Sequence, residues 1–232
     1  QRALLVQRSY IKLSETLQEI QWPLVNGIVL DLGVSSMQFD TAERGFSFRE
    51  DAPLDMRFSP KTTESAADII NTYSEAELAE IIFRYGEERA SRRIAKAIIR
   101  DRPIHTTFEL ATLISTVIPR KGKRVHPATR TFQALRIAVN DEMGAIEKVL
   151  PQAINALAPG GRLAIISFHS LEDRLVKQYF RHESKDCICP PRQPICTCDH
   201  KPSIKEISRK PICPSEEESA ENPRARSAKL RI

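Results

Sequence analysis

The chain has 232 residues, of which 41% are hydrophobic and 28% charged, and its formal net charge is +5. This is the composition of a globular protein long enough to bury a sizeable core in one or two domains. No apolar run approaches the roughly 18 residues that a membrane span needs. Five cysteines, an odd number clustered near one end, argue against a secreted disulfide framework. These features predict a cytoplasmic protein without membrane association, and the positive charge mildly favours a polyanionic partner.

The beginning of the chain predicts an α/β arrangement. Residues 3–6 are predicted as a short strand and residues 14–21 as a short helix. Residues 27–31 form an uninterrupted apolar run that ends in Asp31, which is typical of a buried parallel strand whose carboxyl end opens into a loop. In open α/β sheets this edge is where ligands bind. Asp31 is therefore the first candidate functional residue.

The next part of the chain follows the helical period. Apolar residues recur at helical intervals over residues 62–118. Three Ser/Thr–acid pairs have the spacing of a capping box: Ser65 with Asp68, Ser74 with Glu77, and Thr106 with Glu109. Three or four helices without an intervening strand cannot continue a β-α-β alternation, so we expect an inserted helical subdomain.

The alternation then resumes towards the end of the chain. The predicted elements are a helix over residues 140–157 that stops at residues 158–161, a second buried strand over 162–168, and a helix that starts at Ser170 with Asp173 in its first turn. Residues 204–208 and 227–232 are predicted to pair as an antiparallel hairpin at the sheet edge. The predicted fold class is therefore α/β.

Four blocks of sequence together resemble one enzyme family. They are residues 27–57 with Gly-Ile-Val-Leu-Asp-Leu-Gly, Arg-Gly-Phe-Ser-Phe and Pro-Leu-Asp-Met-Arg, then residues 126–136, 166–174 and 221–231. In this order they resemble the ribosomal RNA small-subunit methyltransferase H family. That family uses S-adenosyl-L-methionine to methylate N4 of a cytidine in small-subunit (16S) ribosomal RNA, near the decoding centre.

The resemblance implies a class I S-adenosylmethionine methyltransferase fold, a Rossmann-like sheet. Residues 1–40 and 139–232 would then form the methyltransferase domain, and residues 41–138 an inserted helical subdomain that binds substrate. The implied partner is the RNA of the small ribosomal subunit, and a homodimer is left open.

The glycines indicate that part of the family pattern is missing. None of the eight glycines forms a G-x-G, so no nucleotide-type glycine loop is present. We expect the family's first strand and its glycine-rich cofactor turn to lie upstream of Gln1. A second reading therefore stays open, a non-catalytic module for RNA binding or ribosome assembly.

The resemblance assigns cofactor contacts to Tyr10, Asp31 and Gln38, although Tyr10 fits a half-buried structural tyrosine equally well. Asp31 is also the predicted catalytic residue, because a hydrogen-bond acceptor aimed at the amino protons of N4 can hold the nitrogen in line with the methyl group. His169, which follows the second predicted strand, is the other predicted catalytic residue, expected to contact the base or to orient a loop. The candidates for stacking on a flipped base are Phe39, Phe46 and Phe48.

Two basic features suit RNA. Residues 120–124 place four cations around a glycine, as in a loop that contacts phosphates. A helix from Thr129 would carry a polar stripe opposite its apolar residues. The predicted RNA-binding residues are Arg120, Lys121, Lys123, Arg124, Arg130 and Arg136.

The cysteines form two closely spaced pairs, Cys187-x-Cys189 and Cys196-x-Cys198. Four thiols can bind zinc tetrahedrally, but C-x-C is tighter than the usual spacing of zinc ligands. The prediction from sequence is therefore that the chain has no metal ligand. A zinc-binding interaction domain is the third reading that stays open.

Overall fold

A computed structural model describes residues 3–118, 126–190, 193 and 195–232. The chain divides into two compact units, residues 1–33 with 143–232 and residues 34–142. None of the described helices is both long and apolar enough to cross a membrane.

The regular elements follow one another in a clear order. The helices are α1 (Leu13–Glu19), α2 (Ser36–Asp40), α3 (Ala66–Thr72), α4 (Glu75–Gly86), α5 (Ser91–Asp101), α6 (Thr107–Val117), α7 (Thr129–Asn140), α8 (Glu142–Ala156), α9 (Ser170–Glu183) and α10 (Glu216–Glu221). The strands are β1 (Val25–Asp31), β2 (Leu157–Ser167) and β3 (Lys229–Arg231). Short 3-10 turns cover Tyr10–Lys12, Ala42–Arg44 and Ala225–Ser227.

The first unit contains a mixed sheet in the order β1–β2–β3. β1 runs parallel to β2, with Asp31 as the Cα partner of Ile166. β3 pairs antiparallel with β2, and its Leu230 also lies opposite Ile166. Parallel strands need a long crossover connection, and here residues 34–142 and α8 separate the two strands in the chain. The α/β fold class is confirmed at this level.

The prediction that β1 is buried is wrong for most of its length. Leu30 is buried and Ile28 is half-buried against the core, but Val29 is 69% exposed. Successive side chains of a strand point to opposite faces, so the face that carries Val29 is largely left open by the described residues. β1 also lies at an edge, since β2 is its only neighbour in the part of the sheet that the structure describes.

Several predicted boundaries in the rest of this unit shift. The helix predicted over 140–157 starts later, because Asp141 adopts a left-handed conformation (φ 47°) and separates α7 from α8. Residues 158–161 do not stop the helix but form an irregular start of β2, where the register with β1 shifts. Gly160 has φ 81° there. No strand forms at residues 3–6.

The prediction that residues 204–208 and 227–232 pair as an antiparallel hairpin is wrong, because the two segments do not form a β-ladder with each other. The N–H groups of Ile207 and Ser208 both donate to the carbonyl oxygen of Ile232, at 3.0 and 3.1 Å, and the N–H of Ile232 donates to Ser208 Oγ at 2.9 Å, but no described strand forms at residues 204–208. Instead, β3 pairs with β2, on the side of β2 that β1 does not occupy.

In the second unit, all three predicted capping boxes are confirmed. Ser65 Oγ accepts the N–H of Asp68, and Asp68 Oδ2 accepts the N–H of Ser65 at 2.8 Å. The same reciprocal geometry starts α4 at Ser74 and α6 at Thr106. Each box satisfies N–H groups that the first turn of a helix leaves unpaired.

The helices of this unit enclose one apolar core. The loop before α3 contributes Leu54 and Met56 to it, and α3 to α7 contribute most of its fully buried side chains: Ile70, Leu78, Ile82, Ile94, Ile98, Leu110, Ile114 and Leu135. α4 and α7 approach closely at Gly86, where a Cβ atom would lie 2.6 Å from the carbonyl oxygen of Arg130. A larger residue at this position would therefore push the two helices apart.

A buried ion pair fixes β3 to α9. Arg231 Nε donates to Asp173 Oδ1 at 2.6 Å, and the two side chains are 4% and 11% exposed. Lys229 Nζ lies 3.4 Å from Asp173 Oδ2. Burial acts to raise the pKa of Asp173, but the hydrogen bond and charge of Arg231, with the charge of Lys229, hold that pKa below its usual value.

Asp173→Asn is expected to lower the free energy of unfolding by about 3 kcal/mol at about pH 7, because Arg231 would stay buried without a counter-charge. Since the pKa of Asp173 is lowered by folding, the stabilisation is complete above the unfolded pKa of about 3.9 and is lost as the pH falls through the folded pKa. Urea unfolding from about pH 7 to about pH 3 should show the difference between the variant and the wild type shrinking.

The matched control is Glu147→Gln, which alters an exposed acid on α8. It should change the unfolding curve little at either pH. A stability loss in Asp173→Asn that does not depend on pH would contradict an electrostatic role for Asp173.

Candidate active site at the carboxyl ends of β1 and β2

The two parallel strands of the first unit end side by side. Beyond the pairing of Asp31 with Ile166, the N–H of Leu32 donates to the carbonyl oxygen of Ile166 at 3.0 Å. Leu32 is buried at 3% exposure, whereas Asp31 is exposed. The Asp31 carboxylate has no hydrogen bond or ion pair with any residue that the structure describes. The main chain at this edge is thus held in place by hydrogen bonds, while the Asp31 carboxylate faces solvent and can accept hydrogen bonds from a ligand.

Gly33 determines how the chain leaves this edge. Its φ is 89°, in the left-handed region that side chains with a Cβ rarely adopt. A Cβ at this position would meet the Phe168 ring at 3.6 Å and Glu172 Oε1 at 3.8 Å. The turn after Asp31 therefore packs against the loop that follows β2.

His169 is the N-cap of α9. Its Nδ1 accepts the N–H of Glu172 at 3.4 Å, and Glu172 Oε2 accepts the N–H groups of Phe168 and His169 at 2.8 and 3.3 Å. The other ring nitrogen, Nε2, lies 3.2 Å from Glu172 Oε1. Both ring nitrogens thus face Glu172, and the side chain is 9% exposed.

This arrangement changes two expectations from the sequence. The start of the last long helix was expected at Ser170 with Asp173, but the box is formed by His169 and Glu172. The capping role of Glu172 was not predicted from the sequence, although the spacing His-x-x-Glu is that of a capping box. The catalytic assignment of His169 stays a prediction, beside a structural role that the geometry supports directly.

The other two predicted cofactor residues differ in their surroundings. Tyr10 begins a 3-10 turn and is 37% exposed. Gln38 forms a capping box with Ser35 at the start of α2, where Gln38 Oε1 accepts the Ser35 N–H at 2.9 Å. Gln38 Nε2 makes no hydrogen bond with the described residues, so its two N–H groups are available to a ligand.

The three candidate stacking aromatics are not equivalent. Phe46 is 6% exposed in the core of the second unit, 5.7 Å from the ring of Phe58. Phe48 packs at 4.8 Å against Phe132. Phe39 is 40% exposed, which leaves its ring the most accessible of the three.

The predicted polar stripe of α7 is mostly used inside the second unit. Arg136 binds Glu142 through two bonds, Nε to Oε1 at 2.7 Å and Nη2 to Oε2 at 3.0 Å, and its side chain is 14% exposed. Asn140 accepts the N–H of Phe58 and donates to the carbonyl of Met56. These side chains complete the hydrogen bonds of neighbouring segments.

Arg130 is the more accessible of the two predicted α7 cations. Its side chain is 56% exposed, and it contacts the Glu87 carbonyl at 3.2 Å and the Glu88 carboxylate at 3.7 Å. The predicted RNA-binding residues of the basic loop, Arg120, Lys121, Lys123 and Arg124, lie outside the described residues. The RNA contacts of this whole set stay a prediction.

The Pro-Leu-Asp-Met-Arg block has an internal function. Asp55 accepts three hydrogen bonds from Arg57, from Nε at 2.7 Å, from Nη2 at 2.9 Å and from the backbone N–H at 3.1 Å. The hydrogen bond from Arg57 is the main cause that lowers the pKa of Asp55. Arg44 donates to the carbonyls of Arg57 and Phe58. This block therefore orders the chain between α2 and α3.

Four cysteine thiols also come together, in the loop after α9, and could hold a metal ion: Cys187, Cys189, Cys196 and Cys198.

Comparison with known proteins gives a consistent result. A family model described as the MraW methylase family matches residues 1–232. A Dehalococcoides mccartyi protein named "Ribosomal RNA small subunit methyltransferase H" is 56% identical over 229 residues, which cover 99% of this chain and 66% of that protein. Proteins of the same name from Heliobacterium mobile and Clostridioides difficile are 52% and 51% identical, over 98% and 100% of this chain. The chain spans 75% and 76% of those two proteins.

The capping geometry of His169 yields a test by substitution. His169→Ala is expected to lower the free energy of unfolding by about 1 kcal/mol, because it removes the acceptor at the N-cap. His169→Asn should lose much less, since an Asn side chain accepts the same N–H. Urea unfolding of both variants measures this difference, and equal losses in the two would contradict the capping role.

Proposed function

Because the chain belongs to the MraW methylase family, we propose that it carries the catalytic core of an S-adenosyl-L-methionine-dependent methyltransferase. The proposed reaction is methylation of the N4 amino group of a cytidine in small-subunit ribosomal RNA, in the cytoplasm. The family membership expected from the four sequence blocks is confirmed by the family model and by the relatives.

One observation supports the proposal most directly, the position of Asp31. Its carboxylate is exposed at the carboxyl end of a parallel strand and has no partner among the described residues. Ligands of open α/β sheets bind at this edge. A buried or fully paired carboxylate could not receive hydrogen bonds from a base, whereas this one can.

The residues present fit the expected cofactor in their chemistry. S-adenosyl-L-methionine, when bound, supplies a methyl group attached to a positively charged sulfur. We infer that Asp31 would hold it by charge and hydrogen bonding, Gln38 through its amide donors, and Tyr10 through its exposed ring. A carboxylate is a suitable neighbour for a cation, because opposite charges attract each other.

The chemical task of Asp31 follows from the nucleophile. The lone pair of cytosine N4 is conjugated with the ring, so the nitrogen is a weak nucleophile. By accepting a hydrogen bond from the amino group, Asp31 would hold N4 in line for attack and stabilise the positive charge that develops on it. Methylation of N4 also requires the loss of one amino proton, which the exposed Asp31 carboxylate would be able to accept.

We also infer that residues 34–142 form a substrate-binding subdomain inserted into a class I methyltransferase domain. This inference is supported by the helical character of that unit and by its place between β1 and β2 in the chain. Arg130 and the basic residues at 120–124 would then contact phosphates, and Arg136 would position the helix through its pair with Glu142. A homodimer stays a prediction.

Asp31→Asn is expected to reduce methyl transfer by about 100-fold, because it removes the negative charge opposite the developing positive charge on N4. RNA affinity should change little, since phosphate contacts supply most of it. The measurement is transfer of labelled methyl groups to small ribosomal subunits, with RNA binding measured in parallel.

Glu147→Gln is the control for the loss of one exposed acid in the same unit, and its activity should match the wild type. Full activity in Asp31→Asn would remove Asp31 from the mechanism. RNA binding without any transfer by the wild-type protein would favour the non-catalytic module instead.

Arg130→Gln is expected to weaken RNA binding several-fold. The plot of log K against log salt should become less steep, its negative slope shrinking in magnitude by about 1, because one phosphate contact is lost. Its matched control is Arg100→Gln on α5, where the exposed guanidinium already pairs with Asp101. Titration of both variants over a range of salt concentrations makes the comparison, and identical slopes would argue against a phosphate contact at Arg130.

A further inference from the structure

The segment between α9 and α10 has almost no regular structure and little apolar packing. Between Glu183 and Glu216, its described residues form no helix and no strand beyond one isolated bridge. Four of its five isoleucines, Ile188, Ile195, Ile207 and Ile212, are 39%, 75%, 53% and 53% exposed, and Ile204, which follows the cysteines, packs against the core. Loops of this length without structure of their own are uncommon in compact domains, so something other than a hydrophobic core must order it.

The base of this segment is closed by hydrogen bonds. The N–H of Ser203 donates to the carbonyl of Glu183 at 2.9 Å, and Ser203 Oγ donates to the Glu183 carboxylate at 2.7 Å. His200 Nε2 lies 3.2 Å from the carbonyl of His182. The part of the chain between these contacts contains all four clustered cysteines.

The four sulfur atoms form a compact group. Cys196 Sγ lies 3.4 Å from Cys187 Sγ, 4.0 Å from Cys189 Sγ and 3.6 Å from Cys198 Sγ, and Cys187 and Cys198 are 3.7 Å apart. All four atoms lie within 4.8 Å of one another. A tetrahedron of thiolates around zinc, with bonds of about 2.3 Å, has sulfur–sulfur edges of about 3.8 Å. The four separations given above, from 3.4 to 4.0 Å, are close to that value.

Backbone N–H groups surround the same sulfur atoms. Cys198 Sγ accepts the N–H of Ile188, Cys187 Sγ that of Cys189, and Cys189 Sγ that of Thr197, each at 3.4 Å. Such donors stabilise negative charge on sulfur and orient it, as the outer shell of a metal site does. Each C-x-C pair thus receives hydrogen bonds from the chain around it, which explains how a spacing of one residue can work here.

We propose that Cys187, Cys189, Cys196 and Cys198 bind one Zn²⁺ as a closed structural site. Binding replaces the four thiol protons by one metal ion and leaves the site with a charge of −2. With four protein ligands the zinc has no open position for water or substrate, so its function is to order the loop. Lys185 and Lys201 flank the site in the sequence and suit its negative charge.

Two disulfides are the competing arrangement. A disulfide bond joins two sulfur atoms at about 2.05 Å, whereas every measured separation here is 3.4 Å or longer. Cys196 is about equally near three other thiols, so the geometry selects no pairs. A reducing compartment disfavours disulfides as well. The geometry therefore favours a metal where the spacing in the sequence did not.

The test is metal analysis of the untagged chain, purified under reducing conditions from cells grown with zinc. We expect about one zinc per chain, and below about 0.1 in Cys196→Ser. Cys213→Ser is the matched control, because Cys213 is an exposed free cysteine outside the cluster, and it should keep the full zinc content. Co²⁺ exchanged into the site should give the intense sulfur-to-metal absorption of tetrahedral thiolate coordination.

A second variant keeps the proposal testable if Cys196→Ser does not fold. Cys198→His replaces one thiolate by imidazole, so it should retain the metal while the sulfur-to-cobalt absorption falls by about a quarter. The proposal is overturned if the reduced wild-type chain binds no zinc on titration, if Cys196→Ser retains it, or if peptide mapping of freshly isolated protein finds these cysteines paired as disulfides.

Discussion

The candidate site depends on the parallel pairing of β1 with β2 at their carboxyl ends. The bond from Leu32 N–H to the Ile166 carbonyl extends this pairing past the last residue of β1. It fixes the main chain of Asp31 while its carboxylate stays exposed. Directly after β2, the N–H groups of Phe168 and His169 donate to the carboxylate of Glu172 on α9. Main-chain hydrogen bonds on both sides thus define the edge at which we propose that the chemistry occurs.

Local signals predicted much of this fold. The capping boxes at Ser65, Ser74 and Thr106 were predictable because their spacing is set within a single turn. Asp31 was predicted because an acid that ends an apolar run marks the end of a strand. The apolar side of α7, with Phe132, is buried as its periodicity indicated. In each case the information lies within a few neighbouring residues.

Features that depend on distant residues were not predictable in the same way. The pair of Asp173 with Arg231 joins positions that are 58 residues apart, and neither sequence neighbourhood contains a sign of the other. Burial of β1 failed as a prediction because it depends on what covers Val29, not on Val29 itself. From the sequence, the C-x-C spacing argued against a zinc site. That spacing could not show that Cys187 and Cys196 approach each other, because their approach depends on how the whole loop folds.

The left-handed turn at Gly33 has a consequence for altering the specificity of this site. Main-chain geometry orients the acid two residues earlier, so nearby side chains can vary without redirecting it. A combinatorial library aimed at other amino-bearing bases should therefore keep Gly33 constant and randomise accessible positions of the same unit. Diversity introduced at the glycine would mostly yield misfolded clones, whereas diversity around it would sample new substrate shapes on an unchanged scaffold.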